Sequence, residues 1–229
     1  LRFTGHVQDG AVPGCGYMQK ARVKSIHRIE NLHLWQRYKT KLTAMHQDHA
    51  KYHVQVAPVP LDVDNSRNWK ILSSCQDSFA CREPLAPDVD EKVLLHGTSW
   101  ENANWIVRDG FDHRTSKRGM YGNGVYFAGA ACKIHQYTCE LHKGQACGCH
   151  HERTLIIARV ALGDSYQTNR TLWGEGRPPN RDGNGAYDSV HVNPGPVEGH
   201  PHTCQTHQEF VIADLNQAYP AFVVQYDFE

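Results

Sequence analysis

The most informative part of this chain is residues 93–137, which read VLLHGTSWENANWIVRDGFDHRTSKRGMYGNGVYFAGAACKIHQY. The apolar run at 93–95 leads into the triplet His-Gly-Thr at 96–98, and a short apolar run closed by glycine predicts a buried strand. A helix is expected next, because Ser99 or the threonine before it can cap a segment in which apolar residues recur. That helix is expected to end at Gly110. The first half of the segment therefore predicts a strand followed directly by a helix.

The second half of the segment contains a glycine turn and a further strand. Residues 122–128 read GNGVYFA, in which the glycines predict a tight turn and the apolar and aromatic residues a short strand. A second helix is predicted after this strand. It carries Tyr137, eleven positions after Tyr126. The whole segment therefore alternates strand, helix, strand and helix.

The order of these motifs resembles the catalytic domain of the poly(ADP-ribose) polymerase superfamily. The chain is similar to that family in three features: His-Gly-Thr at the end of a strand, the turn Gly-x-Gly-Val-Tyr-Phe-Ala, and an aromatic residue eleven positions after the tyrosine. Two later motifs, at 209–212 and 217–220, resemble the strand that holds the family's catalytic glutamate and the approach to its last strand. Residues 28–35, RIENLHLW, resemble the start of the transferase domain in mono-ADP-ribosylating and tankyrase-like members. The resemblance covers roughly residues 20–229.

The resemblance and the pattern of elements imply an α+β domain with the ADP-ribosyltransferase fold. This fold has split, mainly antiparallel β-sheets with few flanking helices, and here a zinc-binding loop. An amphipathic helix is predicted after the cap residue Asn31. Strands are predicted at 21–29, 154–162, 210–213 and 222–228.

The remaining residues are assigned to loops and to the domain boundary. Residues 52–91 and 173–202 are rich in loop-forming residues and are predicted to be long connections. Residues 1–20 are expected to form a loose lead-in. The catalytic domain is then expected to span 21–229, with the zinc-binding loop at 139–150.

The composition narrows the class of protein. The formal net charge is zero and the isoelectric point is about 7.4, so no basic field argues for binding to nucleic acid or a membrane. No apolar run approaches the ~20 residues that a membrane span needs, and no secretory signal is visible. Because the chain begins at Leu1 rather than methionine, it is expected to be a piece of a longer protein.

Cysteine and histidine are abundant, with eight cysteines and sixteen histidines in 229 residues. A tight Cys/His cluster indicates a metal site in a reducing compartment rather than a disulfide framework. The expected location is therefore intracellular, with cytoplasm and nucleus both open. The cluster follows the compact spacing of a structural zinc site, Cys139-x2-His142-x4-Cys147-x-Cys149-His150.

Tankyrases carry a zinc-binding loop of similar spacing at the same point of the domain. Matching the two places His150 where the fourth tankyrase ligand, a cysteine, would stand, and Cys149 is the alternative. The expected ligands are thus Cys139, His142, Cys147 and one of that pair. A later run of histidines with Cys204, ending at His207, is predicted to be a solvent-facing loop.

The chemistry that the resemblance implies is cleavage of the bond between nicotinamide and ribose in NAD. The transition state is a ribosyl cation, so the site must hold the nicotinamide flat, bind the ribose hydroxyls and place a carboxylate near the developing charge. The family's motifs assign the carboxylate to Glu209 and the ribose contact to either ring nitrogen of His96. They assign stacking on the nicotinamide to Tyr126 and Tyr137. The expected catalytic residues are therefore His96, Tyr126 and Glu209.

Further NAD contacts are expected from the segments on either side of this helix. The backbone of Gly97, which has no side chain, is expected to approach the carboxamide closely. Thr98 and Asp112 match positions that contact the adenine ribose and adenine in tankyrase-like members, and Asn102 is a polar neighbour. The loop at 112–119, with Arg114, Lys117 and Arg118, is expected to cover the NAD.

One position departs from the family pattern. Ile134 stands eight residues after Tyr126, where the family usually has a serine that hydrogen-bonds the carboxamide. Unless Cys132 or a backbone group replaces that serine, the carboxamide loses a hydrogen bond worth about 1 kcal/mol.

The resemblance therefore implies an NAD-dependent ADP-ribosyltransferase, a pentosyl-transferring enzyme of the tankyrase-like branch with a structural zinc. It is expected to modify protein side chains, and elongation to poly(ADP-ribose) is left open. The alternatives are transfer of a single ADP-ribose, or a catalytically silent module that binds NAD or a partner. No membrane or direct nucleic-acid partner is expected.

Overall fold

The computed structural model of the chain describes residues 21–62, 78–112, 119–141, 149, 151–183, 185–205 and 207–228. The predicted lead-in at 1–20 lies outside these residues. The helices are α1 Leu32–Tyr52, α2 Phe79–Arg82, α3 Trp100–Asp109 and α4 Ala131–His135, with single turns of 3-10 helix at Pro87–Val89 and Leu215–Gln217. The strands are β1 Ala21–Arg28, β2 Glu91–Thr98, β3 Val125–Phe127, β4 Arg153–Ala161, β5 Ser165–Thr168, β6 Ser189–Val192, β7 Gly195–Val197, β8 His200–Gln205, β9 Glu209–Ile212 and β10 Ala218–Phe228.

The strands form two four-stranded sheets and one hairpin. The first sheet has the order β1-β10-β4-β2 and is antiparallel throughout. The second has the order β3-β9-β6-β5, in which the β5–β6 pair is parallel and the other pairs are antiparallel. Strands β7 and β8 pair with each other as the hairpin. The prediction of an α+β domain with split, mainly antiparallel sheets is confirmed.

Strand β4 is the centre of the core. All nine of its residues are buried, as expected for a strand covered on both faces. Its alternate side chains enter two different hydrophobic clusters: Leu155 and Ile157 pack towards α1, whereas Ile156 and Ala158 pack towards the second sheet. The apolar run at 154–162, which was predicted to form a strand, lies at the centre because it packs against both clusters.

Helix α1 covers the outer face of the first sheet. The side chain of Asn31 accepts a hydrogen bond from the backbone N–H of Leu34, as the predicted cap should. The buried side chains recur at three- and four-residue steps, so one face of the helix is apolar. They are Leu34, Trp35, Tyr38, Leu42, Met45 and His49. No helix in the described part of the chain is long and apolar enough to cross a membrane.

The predicted loop at 173–202 is wrong in part, because it contains β6, β7 and the start of β8. Strand β6 has only four residues, SVHV, and this run is too short for its alternation to stand out among loop-forming neighbours. Strand β7 holds Gly195 and Pro196, which favour loops, and proline is tolerated there because β7 pairs on one side only. Strand β5 and the short helix α2 were also not predicted.

Helix α3 begins and ends where the sequence indicated, but its two tryptophans lie at the surface rather than in the core. Ser99 is the N-cap and Gly110 the C-cap. Trp100 and Trp105 are large apolar side chains, yet they are 45% and 54% exposed, and the buried residue of the helix is Ala103. The two indole rings are therefore available at the surface rather than in the core.

Candidate active site

One cavity of about 730 Å³ lies where the two sheets meet. This volume is within the range of small-molecule sites. Eight residues that were predicted to take part in catalysis or NAD binding line it: His96, Gly97, Thr98, Asn102, Asp112, Tyr126, Tyr137 and Glu209. Residues more than 100 positions apart are thus brought to one place.

A pair of backbone hydrogen bonds joins the two sheets at this point. The Leu95 N–H donates to the Ala128 carbonyl at 2.9 Å, and the Ala128 N–H donates back to Leu95 at 3.0 Å. The end of β2 therefore lies beside β3, which places His96 near Tyr126. Phe127 of β3 pairs with Phe210 of β9, and Glu209 is the residue before Phe210. Glu209 therefore lies on the strand next to the one that carries Tyr126.

His96 has one ring nitrogen committed to the protein. Its Nδ1 lies 2.9 Å from the backbone oxygen of Tyr126. A carbonyl oxygen only accepts, so Nδ1 carries the hydrogen and donates. Burial lowers the pKa of His96, more than this hydrogen bond raises it, so the ring is neutral near pH 7 and Nε2 is an acceptor. The sequence analysis allowed either nitrogen to reach ribose, whereas the structure leaves only Nε2.

Tyr126 is held rigidly by its own turn. Its hydroxyl donates to the carbonyl of Gly122 at 2.7 Å and accepts from the N–H of Tyr121 at 3.0 Å. Burial, followed by the nearby Glu209 carboxylate, raises the pKa of Tyr126 and keeps the hydroxyl protonated. Gly119 completes the fit, because a Cβ there would lie 2.0 Å from the tyrosine hydroxyl oxygen. The ring is thus a fixed surface on the cavity wall.

Gly97 lies against the backbone of α4. A Cβ at this position would stand 1.9 Å from the Ile134 carbonyl oxygen, so any other residue would push β2 and α4 apart. Ile134 is buried and lines the cavity with a side chain that has no hydrogen-bonding group. Cys132, suggested as a replacement for the family's serine, instead lies buried with its Sγ 3.0 Å from His207 Nε2, and it is absent from the described lining.

Glu209 is the first residue of β9 and is 5% exposed. Its Oε1 forms an ion pair with Lys133 Nζ at 2.9 Å and accepts a hydrogen bond from the side-chain amide of Gln205. No hydrogen bond from the described residues reaches Oε2. Burial lowers the pKa of Lys133, but the Glu209 carboxylate and Tyr137 outweigh burial and raise it overall. The pair is therefore charged, with one carboxylate oxygen saturated and the other available.

Tyr137 lies two residues beyond the end of α4, not within it as predicted. Its N–H donates to the Ile134 carbonyl at 3.0 Å, which continues the helix as a turn. The ring is 42% exposed and has Lys133 Nζ 5.6 Å from its centre. The side chain therefore borders the cavity with one face open.

The lining residues that were not selected from the sequence include Tyr121, Lys133 and Gln205. Lys133 could have been found, because it lies four residues before Tyr137 and so on the same side of a helix. Gln205 and Tyr121 have no such signal, since their relation to Glu209 depends on how the hairpin and the β3 turn pack.

The residues predicted to contact adenosine, Thr98, Asn102 and Asp112, line the cavity together with Trp105. The guanidinium of Arg108 lies 4.0 Å from the centre of the Trp105 ring. The basic residues expected to cover the NAD, Arg114, Lys117 and Arg118, lie outside the described residues.

A second cluster has the chemistry of a metal site. Ligand atoms of Cys139, Cys149 and His151 all lie within 4.8 Å of one another. Two thiolates and an imidazole suit zinc. Three of the expected ligands, His142, Cys147 and His150, lie outside the described residues. His151 was not among the expected ligands, because the zinc-site spacing identified in the sequence ends at His150.

The fold and the cavity together define the class: an α+β domain with a His–Tyr–Glu group around a site able to hold a dinucleotide. Residues 13–228 match the family model described as "Poly(ADP-ribose) polymerase catalytic domain". The chain belongs to this family. The predicted NAD-dependent ADP-ribosyltransferase class is thereby confirmed for the domain.

Relatives in the same family carry mono-ADP-ribosyltransferase names. The chain is 29% identical to mouse (Mus musculus) protein mono-ADP-ribosyltransferase PARP12 over 170 residues, which cover 72% of this chain and 20% of the relative. It is 26% identical to human (Homo sapiens) PARP11, also named a protein mono-ADP-ribosyltransferase, over 223 residues, which cover 91% of this chain and 52% of the relative. The chain thus spans about half of one of these proteins and a fifth of the other.

Proposed function

We propose that this domain binds NAD in the cavity, breaks the bond between nicotinamide and ribose, and transfers ADP-ribose to a protein side chain. Family membership supports the reaction class. The observation that supports these particular residues is a pair of acceptor atoms on the cavity wall to which no described residue donates. Glu209 Oε2 and His96 Nε2 each belong to a group whose other polar atom is held by the protein.

Binding would use the fixed aromatic surfaces and these two acceptors. The nicotinamide ring would lie against Tyr126 and be covered by Tyr137. The backbone of Gly97 would hydrogen-bond the carboxamide. A ribose hydroxyl would donate to His96 Nε2, and the 2′-hydroxyl of the nicotinamide ribose would donate to Glu209 Oε2. Thr98, Asn102 and Asp112 would contact the adenosine half.

Bond cleavage would leave the electron pair of the glycosidic bond on the nicotinamide nitrogen and positive charge on the ribose. Glu209 would stabilise that charge, because its carboxylate is fixed beforehand in a water-poor site. The acceptor nucleophile would then bond to the anomeric carbon and release its proton to solvent water. Glu209 would polarise an acceptor hydroxyl through Oε2, so a second ADP-ribose could also be added and elongation stays open.

The experiment is incubation with labelled NAD, with Glu209→Ala as the comparison and the product separated on a gel. A labelled protein band that the change abolishes is expected. A sharp band would assign single transfer, as in the names of the relatives, and a smear would assign elongation. Absence of label with the wild-type protein, in the presence of NAD-dependent thermal stabilisation, would overturn the enzymatic proposal and leave an NAD-binding domain.

We also propose a structural zinc in the loop after α4, which would place the domain in the tankyrase-like branch. The support is the convergence of Cys139, Cys149 and His151, with His142, Cys147 and His150 as candidates to complete the set. Thiolate ligands persist in a reducing compartment, so we propose an intracellular location.

Metal analysis of the purified domain tests this site. One zinc per chain is expected, lost in Cys139→Ser, with a fall in melting temperature when a chelator removes it. A metal-free domain that is as stable with chelator as without would contradict the proposal.

A further inference from the structure

Gln205 lies at the end of β8, four residues before Glu209, and lines the same cavity. Its side-chain amide nitrogen donates to the Glu209 Oε1 atom and to the backbone carbonyl of His207, the latter at 2.7 Å. Both partners are acceptors, which fixes the orientation of the amide, since the reverse orientation would place oxygen against oxygen.

The oxygen of the same amide is held by Tyr121. The Tyr121 hydroxyl lies 3.4 Å from Gln205 Oε1 and donates to it. Burial and the Glu209 carboxylate raise the pKa of Tyr121 to about 12, so the hydroxyl keeps its proton at neutral pH. Tyr121, Gln205 and Glu209 therefore form a chain in which each hydrogen bond runs in one direction, towards the carboxylate.

The segment that carries Gln205 is attached to the helix that carries Lys133. His207 Nε2 contacts the Sγ of Cys132, the residue before Lys133, at 3.0 Å, and both side chains are buried. The ammonium of Lys133 and the amide of Gln205 thus come from two elements that are joined to each other. Both reach Oε1 of Glu209 and leave its other oxygen without a donor from the described residues.

We propose that Gln205 is a positioning residue for Glu209. By holding Oε1, it turns Oε2 towards the nicotinamide ribose, and Tyr121 supports it by fixing the amide. Gln205 does not contact the reacting atoms in this arrangement. The inference rests on the proposed transfer reaction, in which Glu209 acts through Oε2.

Such a role predicts a change in turnover with little change in NAD binding. Gln205→Met keeps the length of the side chain and removes the donor, so kcat for nicotinamide release should fall about tenfold while KM for NAD stays within about twofold. Gln205→Glu keeps the shape but, when ionised, cannot donate, and it should be at least as slow. Gln225→Met, on β10 and hydrogen-bonded to Ser25 and Glu152, is the matched control and should leave kcat unchanged.

Tyr121→Phe provides an independent test if the Gln205 variants fold poorly. It keeps the ring and removes the hydroxyl, and kcat should fall about two- to threefold with KM unchanged. The proposal is overturned if Gln205→Met retains full kcat, if KM rises in step with any loss, or if Gln205→Glu is as active as the wild type. An inactive wild-type protein would overturn the proposed function itself, and this inference with it.

Discussion

Glu91 and Glu209 are both buried carboxylates, each paired with a cation and with a neutral side-chain donor, yet their surroundings differ in one respect. Glu91 has both oxygens occupied: Oε1 accepts from the Tyr38 hydroxyl at 2.5 Å and from Arg159, and Oε2 accepts from Arg159 at 2.8 Å and from the Ala86 N–H at 2.7 Å. Among the described residues, both the cation and the amide donor of Glu209 contact Oε1.

Glu91 is therefore a structural group, whereas Glu209 is the proposed site for a ligand. Arg159 also donates to the carbonyls of Ala80, Glu83 and Pro84, so it joins β4 to the segment before β2 and uses its hydrogen-bonding capacity on the protein. A buried acceptor without a partner is costly in a folded protein. An oxygen at the wall of a cavity that receives no donor from the described residues is therefore consistent with the proposal that a ligand supplies one.

The largest effect is expected on stability at the saturated pair. Glu91→Gln leaves the Arg159 guanidinium buried without its counter-charge, so the free energy of unfolding should fall by about 3–5 kcal/mol. Urea denaturation measures this change. Glu209→Gln is the control and should lower the free energy of unfolding by a smaller amount, because Lys133 contacts one oxygen of Glu209 and lines the cavity, whereas Arg159 contacts both oxygens of Glu91 inside the core. Equal losses in the two variants would contradict the distinction.

The next effect is expected on turnover at the open pair. Glu209→Gln keeps the shape of the side chain and removes the negative charge that stabilises the ribosyl cation. The rate of nicotinamide release should fall about 10²–10³-fold, which corresponds to about 3–4 kcal/mol of lost transition-state stabilisation. The dissociation constant for NAD should change far less. A variant that retains wild-type turnover would show that Glu209 has no role in the chemistry.

A smaller effect on stability is expected from the neutral donor to Glu91, the Tyr38 hydroxyl, whose role differs from that of the neutral donor to Glu209. Tyr38→Phe removes the hydroxyl that donates to Glu91 and should lower the free energy of unfolding by about 1–3 kcal/mol. Transfer activity, measured well below the melting temperature, should be unaffected. Chemical denaturation and the labelled-NAD assay on the same sample test both statements. Loss of activity without loss of stability would mean that the core pair is linked to the cavity.

The smallest effect is expected on the pH dependence of NAD affinity. It concerns His96, which, like Glu209, has one polar atom bonded to the protein. Because burial lowers its pKa below the ordinary value of 6.5, the neutral ring with a free Nε2 acceptor persists to lower pH than in an exposed histidine. The affinity for NAD, measured by calorimetry, should be constant from about pH 8 to about pH 6.5 and weaken only below that range. An affinity that already halves at pH 6.5 would contradict this assignment.

The same shift has a defined sign for stability. The unfolded chain binds the His96 proton more readily than the folded domain, so this group destabilises the fold as pH falls below 6.5 and contributes no loss above it.

The parts of the fold that could be predicted are those with a local pattern. Strand β4 is a continuous apolar run, and α1 has a cap and apolar residues at helical spacing, so both were found from the sequence. Strand β6 was missed because four residues are too few to establish a period. His207, expected in a solvent-facing loop, is fully buried against Cys132, because the packing of β9 beside α4 encloses it.

The residues of the site also differ in whether the sequence alone could predict them. His96, Tyr126 and Glu209 stand in recognisable motifs, and the structure places all three on one cavity. The groups that orient Glu209 come from other elements, Lys133 from α4 and Gln205 from β8. Their proximity depends on tertiary packing, which a single sequence does not express as a period or a spacing.

The most direct test of the account is a crystal structure of the domain with a non-hydrolysable NAD analogue. The account predicts the nicotinamide between Tyr126 and Tyr137, with the 2′-hydroxyl of its ribose within hydrogen-bonding distance of Glu209 Oε2 and Gln205 still bonded to Oε1. An analogue bound outside the cavity, or one whose ribose displaces Gln205 and leaves Oε2 without a partner, would contradict it.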